Sequence, residues 1–377
     1  MAKDKIDIKA VQAAVAEAPD ASWDATENRI TRLPEEQRRV RLGVPVPDQP
    51  VRESLERAAA AVRSAHASGP QAAARAKAES ASLPTVFDLR NVGGQSYVAG
   101  VRDQGSCGSC VSFGSVAVLE GTARFGRKTP SLAVDLSEAH LFYGHGSTVG
   151  VTCDTGWMPM PALTFCTSKG ITYESDFPYV AGNPGGKTAP TGWEWHRGRA
   201  TGTVDLTEKV ADIKKHLTTV GPVTGCFVVY TDFYGYSSGV YKHVTGGEEG
   251  GHCVAIVGYD DTKQAWIIKN SWGTGWGMGG YAYIGYGQCL IDTWANVGVT
   301  GVRLRTWTTP KKVLGGYASG SERSGWVHVQ DHGWVSVGGL TGTAHVAMFA
   351  DLLTAKEKGA FVNAYENEGV IAQTYAY

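Results

Sequence analysis

The sequence predicts an α+β protein of two lobes, with a helical N-terminal region and a small all-β extension at the C-terminus. Three observations carry this. Between Leu83 and about Thr300 the helical signals come first and the strand signals later, rather than alternating. The first 82 residues contain no cysteine and are rich in Ala, Arg, Glu and Ser. After Thr300 short bursts of apolar alternation take over, as in Trp326-Val-His-Val and Trp334-Val-Ser-Val. A hydrophobic fraction of 42% with 19% charged residues fits a sizeable core rather than disorder. The 35 basic and 36 acidic residues leave a net charge of −1, which argues against nucleic acid or an anionic membrane surface as partner. No apolar run reaches the ~18 residues of a membrane span.

In the N-terminal region, Ile8 to Ala18 reads as an Ala-rich helix. Pro34 to Gly43 has Pro in the first turn, acids next, arginines late and Gly at the stop, the punctuation of a second helix. Glu53 to Ala65 reads as a third. Ala67 to Ser82, with Gly69-Pro70, has the composition of a protease-accessible linker. The body that follows has helical signals at Ser109–Thr122, Ser137–Tyr143, Pro159–Lys169 and Thr207–Thr218. Strand signals fall at Val223–Tyr230, Cys253–Tyr259, Ala265–Lys269 and Tyr281–Ile284. The boundaries are therefore 1–82, 83–300 and 301–377. In the last segment Trp307, Trp326 and Trp334 are expected chiefly to fill the core of a domain too small to do without large side chains. Stacking on sugars or anchoring a partner is the alternative. His328, His332 and His345 alternate with valines and suggest solvated strand faces rather than a metal site. The first residues lack the apolar core of a secretory signal, so a cytoplasmic chain and one whose leader has been removed are both open.

The sharpest local feature is Gln104-Gly-Ser-Cys107-Gly-Ser-Cys110-Val-Ser-Phe113, a glycine-bearing loop opening into an apolar helix. It places Cys110 at a helix N-terminus, where backbone N–H groups and the macrodipole favour the thiolate that acyl transfer needs. Taken alone, the Cys-x-x-Cys is also compatible with a redox pair, half a zinc site or two structural cysteines. His252 directly precedes a strong strand, in Gly250-Gly251-His252-Cys-Val-Ala-Ile-Val, and Asn270 sits in Trp266-Ile-Ile-Lys-Asn270-Ser-Trp272-Gly. Together Cys110, His252 and Asn270 offer a nucleophile, a general base and an amide to orient that base, the latter two 142 and 160 residues downstream of the cysteine.

Over residues 83–300 these motifs resemble those of the papain-like (cathepsin-type) cysteine peptidases. The resemblance implies a helical lobe facing a β-barrel-like lobe, with Cys110 attacking the scissile carbonyl, His252 moving the proton and Asn270 orienting the ring. Gln104 would donate to the oxyanion, and Trp272 would shield the Asn270–His252 bond at the edge of the substrate cleft. Gly156 would bind substrate backbone, while Trp157, Cys226, Cys253 and Trp294 would line an apolar pocket for the second residue before the cut. A Cys107–Cys153 disulfide is implied; Cys226 and Cys253 are expected as free thiols. Val111 stands where the family usually has Trp, and Cys289 occupies a half-cystine position whose partner position is a Gly/Glu run. Ser22-Trp23-Asp-Ala-Thr-Glu-Asn28-Arg-Ile resembles a short cathepsin B-type propeptide, with Trp23 as its anchor. The N-terminal region is thus expected to cross the cleft as an inhibitor; a permanent helical extension is the rival. The function implied is a thiol endopeptidase made as a zymogen, acting on proteins or peptides without cofactor or metal. A peptide ligase using the same thioester, or an inactive peptide-binding scaffold, are the alternatives.

Overall fold

The computed structural model describes residues 5–67 and 83–376, so the expected linker beyond Ala67 lies outside the described residues. In the N-terminal region α1 (Ile8–Glu17) starts at Asp7, whose carboxylate accepts from the Lys9 and Ala10 N–H groups. β1 (Ser22–Ala25) pairs antiparallel with β7 (Tyr236–Tyr241) of the body. It buries Trp23, 3% exposed, against Tyr236 and Tyr241 at ring distances of 6.2 and 5.1 Å. α2 (Glu35–Arg39) is shorter than the helix read over Pro34–Gly43. The chain leaves it at Val40 because Gly43 and Val44 bond to the body instead: Trp157 N–H donates to the Gly43 carbonyl at 2.8 Å and Val44 N–H to the Gly251 carbonyl at 3.1 Å. α3 (Gln49–Ala67) buries Leu55 and Ala59.

In the body, α4 (Cys110–Gly126) is buried along nearly its whole length. A π-helical turn, His140–His145, overlaps the second expected helix and runs two residues past its end, and α5 (Pro159–Ser168) starts at its proline. The opposing lobe is a sheet in the order β1-β7-β10-β9-β8-β2, with β6 also pairing β8. Its members are β2 (Val86–Asp88), β6 (Val223–Tyr230), β8 (Glu248–Asp260), β9 (Ala265–Lys269) and β10 (Tyr281–Gly285). α6 (Val210–Thr219) packs on β6 and β8, and β5 (Thr203–Asp205) pairs β11 (Val297–Val299). The unbroken apolar run of β8 is buried on both faces. Cys253, Ala255 and Val257 pack in the cluster that contains α4, while Val254, Ile256 and Tyr259 belong to the barrel-side cluster. β8 starts five residues before the strand signal, since Glu248 and Glu249 there are held by Arg52 and Arg39 of the N-terminal region. Periodicity has no access to such pairing.

The C-terminal extension continues a sheet of the body. β12 (Val302–Trp307) pairs β4 (Arg197–Ala200) on one side and β16 (Phe361–Asn367) on the other, in the order β13-β14-β15-β17-β16-β12-β4-β3. Here β3 is Ile171–Thr172, β13 Lys311–Ser319, β14 Ser324–Val329, β15 Gly333–Gly339 and β17 Val370–Ala376. β13 also pairs β16, so five strands close into a barrel. The extension is not all-β: α7 (Thr343–Lys358) lies between β15 and β16 and ends at Gly359 in the left-handed region, φ 65°. Its Leu352 and Ala355 pack among Val313, Val327, Val329, Val335 and Val337. At Gly316 a Cβ would come within 2.3 Å of the Leu353 Cδ2 methyl, so a larger residue there would make the Leu353 side chain shift. With helix and valines filling the core, the tryptophans are not needed there. Contrary to the core expectation, Trp307, Trp326 and Trp334 are 42%, 38% and 48% exposed. His332 is not on a solvated face either; it is buried and bonded to Glu366 at 2.6 Å. Among the described residues no helix is long and apolar enough to cross a membrane.

Candidate active site

Cys110 is the first residue of α4, at the end of a loop pinned by the Cys107–Cys153 disulfide and by a Gly108 N–H bond to the Cys153 carbonyl. The thiol is fully buried and its Sγ accepts from the Gly43 N–H at 3.3 Å. Burial, with a smaller contribution from Cys253, pushes the thiol up to about 12 against the backbone amides of Cys253, Gly43 and Val111. In this covered state burial outweighs the helix end that, from the sequence, favours a thiolate.

His252 lies on β8 with its Nε2 at 2.8 Å from Asn270 Oδ1. The same oxygen accepts from the Ser271 N–H at 2.8 Å, which fixes the amide orientation. An amide oxygen only accepts, so Nε2 carries the hydrogen and Nδ1 keeps a lone pair. Among the described residues Nδ1 has no hydrogen-bond partner. Burial lowers the imidazole to about 4, opposed by the Asn270 bond. Trp272 lies against the His252 ring at 4.8 Å, backed by Phe233, Tyr234 and Trp276. Gln104 donates its amide to the Cys107 carbonyl at 2.8 Å and to the Arg41 carbonyl at 2.9 Å, and accepts from the Ser271 hydroxyl at 2.6 Å.

Val44 packs in one apolar cluster with Trp157, Cys226, Cys253 and Trp294. Cys226 and Cys253 face each other across β6 and β8 as free thiols. Gly156 has φ 62°, and a Cβ there would lie 2.2 Å from the Gly43 carbonyl oxygen. At Gly43 itself a Cβ would meet the Gly108 oxygen at 1.8 Å. Arg41-Leu42-Gly43-Val44 therefore runs directly over the cysteine, and only glycine allows that approach. Ion pairs Arg39–Glu249 and Arg52–Glu248 flank it.

Around this segment Cys110 lies at the Gly43 N–H and Gln104 at the Arg41 carbonyl, while Val44 bonds to Gly251, the residue before His252, which holds Asn270 and packs on Trp272. Sequence reasoning missed the covering residues themselves, because Gly43 reads locally as a helix stop. It also missed Ser271, which bridges Gln104 and Asn270, and Tyr179, whose hydroxyl donates to the Gln104 carbonyl at 2.8 Å. A lone serine and a loop tyrosine carry no motif that points to either role.

Residues 83–299 match the family model described as papain family cysteine protease. Cathepsin B-like CP3 of Giardia intestinalis is 39% identical over 219 residues, covering 55% of this chain and 71% of that protein. A gut-specific cysteine proteinase of Caenorhabditis elegans is 31% identical over 240 residues, covering 56% and 72%. In fold, proCathepsin B S9 from Trypanosoma congolense is similar with a TM-score of 0.58 at 23% identity, over 78% of this chain and 96% of that one. With the matched residues spanning both lobes around the cleft, the chain belongs to the papain family of cysteine proteases.

Proposed function

We propose that this cysteine peptidase is made as a zymogen and, once residues 1–82 are removed, cuts peptide bonds through Cys110, His252 and Asn270. His252 Nδ1 takes the Cys110 proton, and the sulfur attacks the scissile carbonyl carbon. Gln104 Nε2 and the Cys110 N–H hold the oxyanion, and the imidazolium returns its proton to the leaving amine. Water then attacks the thioester, with His252 again as base. Asn270 keeps the ring in the tautomer that makes this possible, and Trp272 keeps water from their bond.

The observation that carries the reading is the Arg41–Val44 segment. Its Arg41 carbonyl sits on the Gln104 amide, and its Gly43 N–H, rather than a carbonyl carbon, faces Sγ. A segment presented in this way blocks the nucleophile without offering it a bond to attack. Val44, paired with Gly251 beside Trp294 and buried in the same apolar cluster as Trp157, Cys226 and Cys253, supports a preference for an apolar side chain at the second residue before the cut. Endopeptidase action is favoured because His140 and His145 are buried and bonded to the Thr172 N–H and the Gly170 carbonyl, away from the role of gripping a substrate carboxylate.

The test is limited proteolysis to remove the N-terminal region, followed by a thiol-directed epoxide probe and a denatured protein substrate. Labelling of Cys110 and release of internal fragments, both lost in Cys110→Ala, are expected. A trimmed protein that neither labels nor cleaves overturns the mechanism, and stepwise loss of dipeptides overturns the endopeptidase reading.

A further inference from the structure

The C-terminal barrel has an order of strands with consequences of its own. Its five strands run β13-β14-β15-β17-β16 and close through β13–β16; the third and fifth, β15 and β17, pair in parallel; the helix falls between the third and fourth. This is the connectivity of the OB-fold, whose outer face over the second and third strands binds oligonucleotides or oligosaccharides. Connectivity alone is only an analogy; the side chains on that face decide.

The second and third strands here are β14 and β15. Val327, Val329, Val335 and Val337 point inward, so Trp326, His328, Trp334 and Ser336 point out. Tyr317 of β13, opposite Trp326, adds a third large ring, 58% exposed. The Trp334 ring stacks on His328 at 5.3 Å and 13°, and leans over Gly315, where a Cβ would already be in contact at 3.4 Å. It is thereby fixed in place with nearly half its surface in water.

Charge separates the two ligand classes. Single-stranded nucleic acid requires a basic groove along its phosphates. None of these outward residues is Lys or Arg, and over residues 311–377 acidic residues outnumber basic ones by six to five. Uncharged rings beside a hydroxyl and an imidazole suit the apolar faces and hydroxyls of a neutral sugar. We propose that the outer face of β13–β15 binds a neutral oligosaccharide, stacking its pyranose rings on Trp326 and Trp334 with His328 and Ser336 bonding its hydroxyls. The barrel is fastened to Arg127, just past the end of α4, through Glu366. At 1.5 Å per residue this lies about 25 Å from Cys110 at the other end. A site on this barrel would keep the peptidase on glycan-bearing substrates.

The test is calorimetric titration of the full-length Cys110→Ala protein with linear hexasaccharides of β-glucan, chitin, mannan and xylan type, and with a thymidine oligonucleotide. At least one hexasaccharide is expected to bind, with an affinity that changes less than about twofold between low and high salt. Trp326→Ala and Trp334→Ala should each weaken it about tenfold or more, with Trp334→Tyr retaining most of it. Because these rings lie outside the barrel core, the melting temperature should fall by only a few degrees, and peptidase activity should survive the same substitutions in trimmed protein with Cys110 intact. Should the alanine variants unfold, Trp334→Tyr together with Ser336→Ala decides, the first expected to keep binding and the second to weaken it. Failure of all four sugars to bind, binding indifferent to these substitutions, or salt-sensitive binding of the oligonucleotide alone overturns the proposal.

Discussion

Burial holds His252 and Cys110 both uncharged, and opening of the segment that runs over Cys110 is expected to expose His252 as well, which would give the cover a pH dependence. The buried imidazole sits at about 4 against an ordinary 6.5. Between those values a water-exposed imidazole takes up a proton that the covered one refuses. The covered state is therefore fully favoured above pH 6.5 and loses up to about tenfold per pH unit as pH falls towards 4. In Cys110→Ala, amide exchange at residues 42–44, corrected for intrinsic rate, should show progressive opening across that window; a flat profile contradicts the assignment. Gly43→Ala places a methyl where the Gly108 oxygen stands, so the full-length protein should gain basal activity, by about tenfold or more, measured on a fluorogenic peptide. In trimmed enzyme Gln104→Ala should cost about 100–1,000-fold in kcat. At this scale the helix-start position of Cys110 and the pairing of His252 with Asn270 were legible because each carries its own flanking motif. Arg41 to Val44 were not, since their role depends on a surface far along the chain.

Elements were readable where their stabilisation is local. α4, α5, β6 and β9 lie close to the positions expected, because their apolar runs, and the proline that starts α5, are contained in the segments themselves. β8 reaches further than its apolar run, as its first turns of strand rest on Arg39 and Arg52. α7 was legible in principle: Gly342 and Gly359 bracket it, with Lys356 and Lys358 in its last turn. The bursts of alternation on either side drew the whole extension towards an all-β reading. They also hid that the alternating valines, not the tryptophans, face inward. β1 depends on Trp23 for its docking, so Trp23→Ala should remove about 3–5 kcal/mol of burial and packing. Faster nicking of the N-terminal region by an added protease is the measurement, and unchanged resistance contradicts the anchoring role.

For the whole molecule, the barrel and the body are joined by continuous strands and by buried charge. Burial alone would raise Glu366, but His332 and Arg127 hold it at about 2. Glu368 is likewise held at about 2, chiefly by Arg199, with Arg197 and Arg305 beside it. A carboxylate lowered from 4.5 to about 2 contributes stability that is complete above 4.5 and lost as pH falls towards 2. The melting temperature should drop through that interval, and Glu366→Gln should flatten the drop while lowering stability at neutral pH. The loosening of the cover between pH 6.5 and 4 thus precedes the failure of the barrel joint. That ordering leaves an acidic window in which the cleft is open and the fold intact. The most direct test of the central claim is to incubate full-length protein with reductant from pH 7 down to pH 4 and follow intact mass alongside hydrolysis of a fluorogenic peptide, with Cys110→Ala in parallel. Loss of the N-terminal region up to about residue 82, faster at lower pH, with activity appearing in step and neither change in Cys110→Ala, is the result expected. Activity in the uncut chain, or trimming that proceeds equally in Cys110→Ala, contradicts a self-activating zymogen closed by its own N-terminal segment.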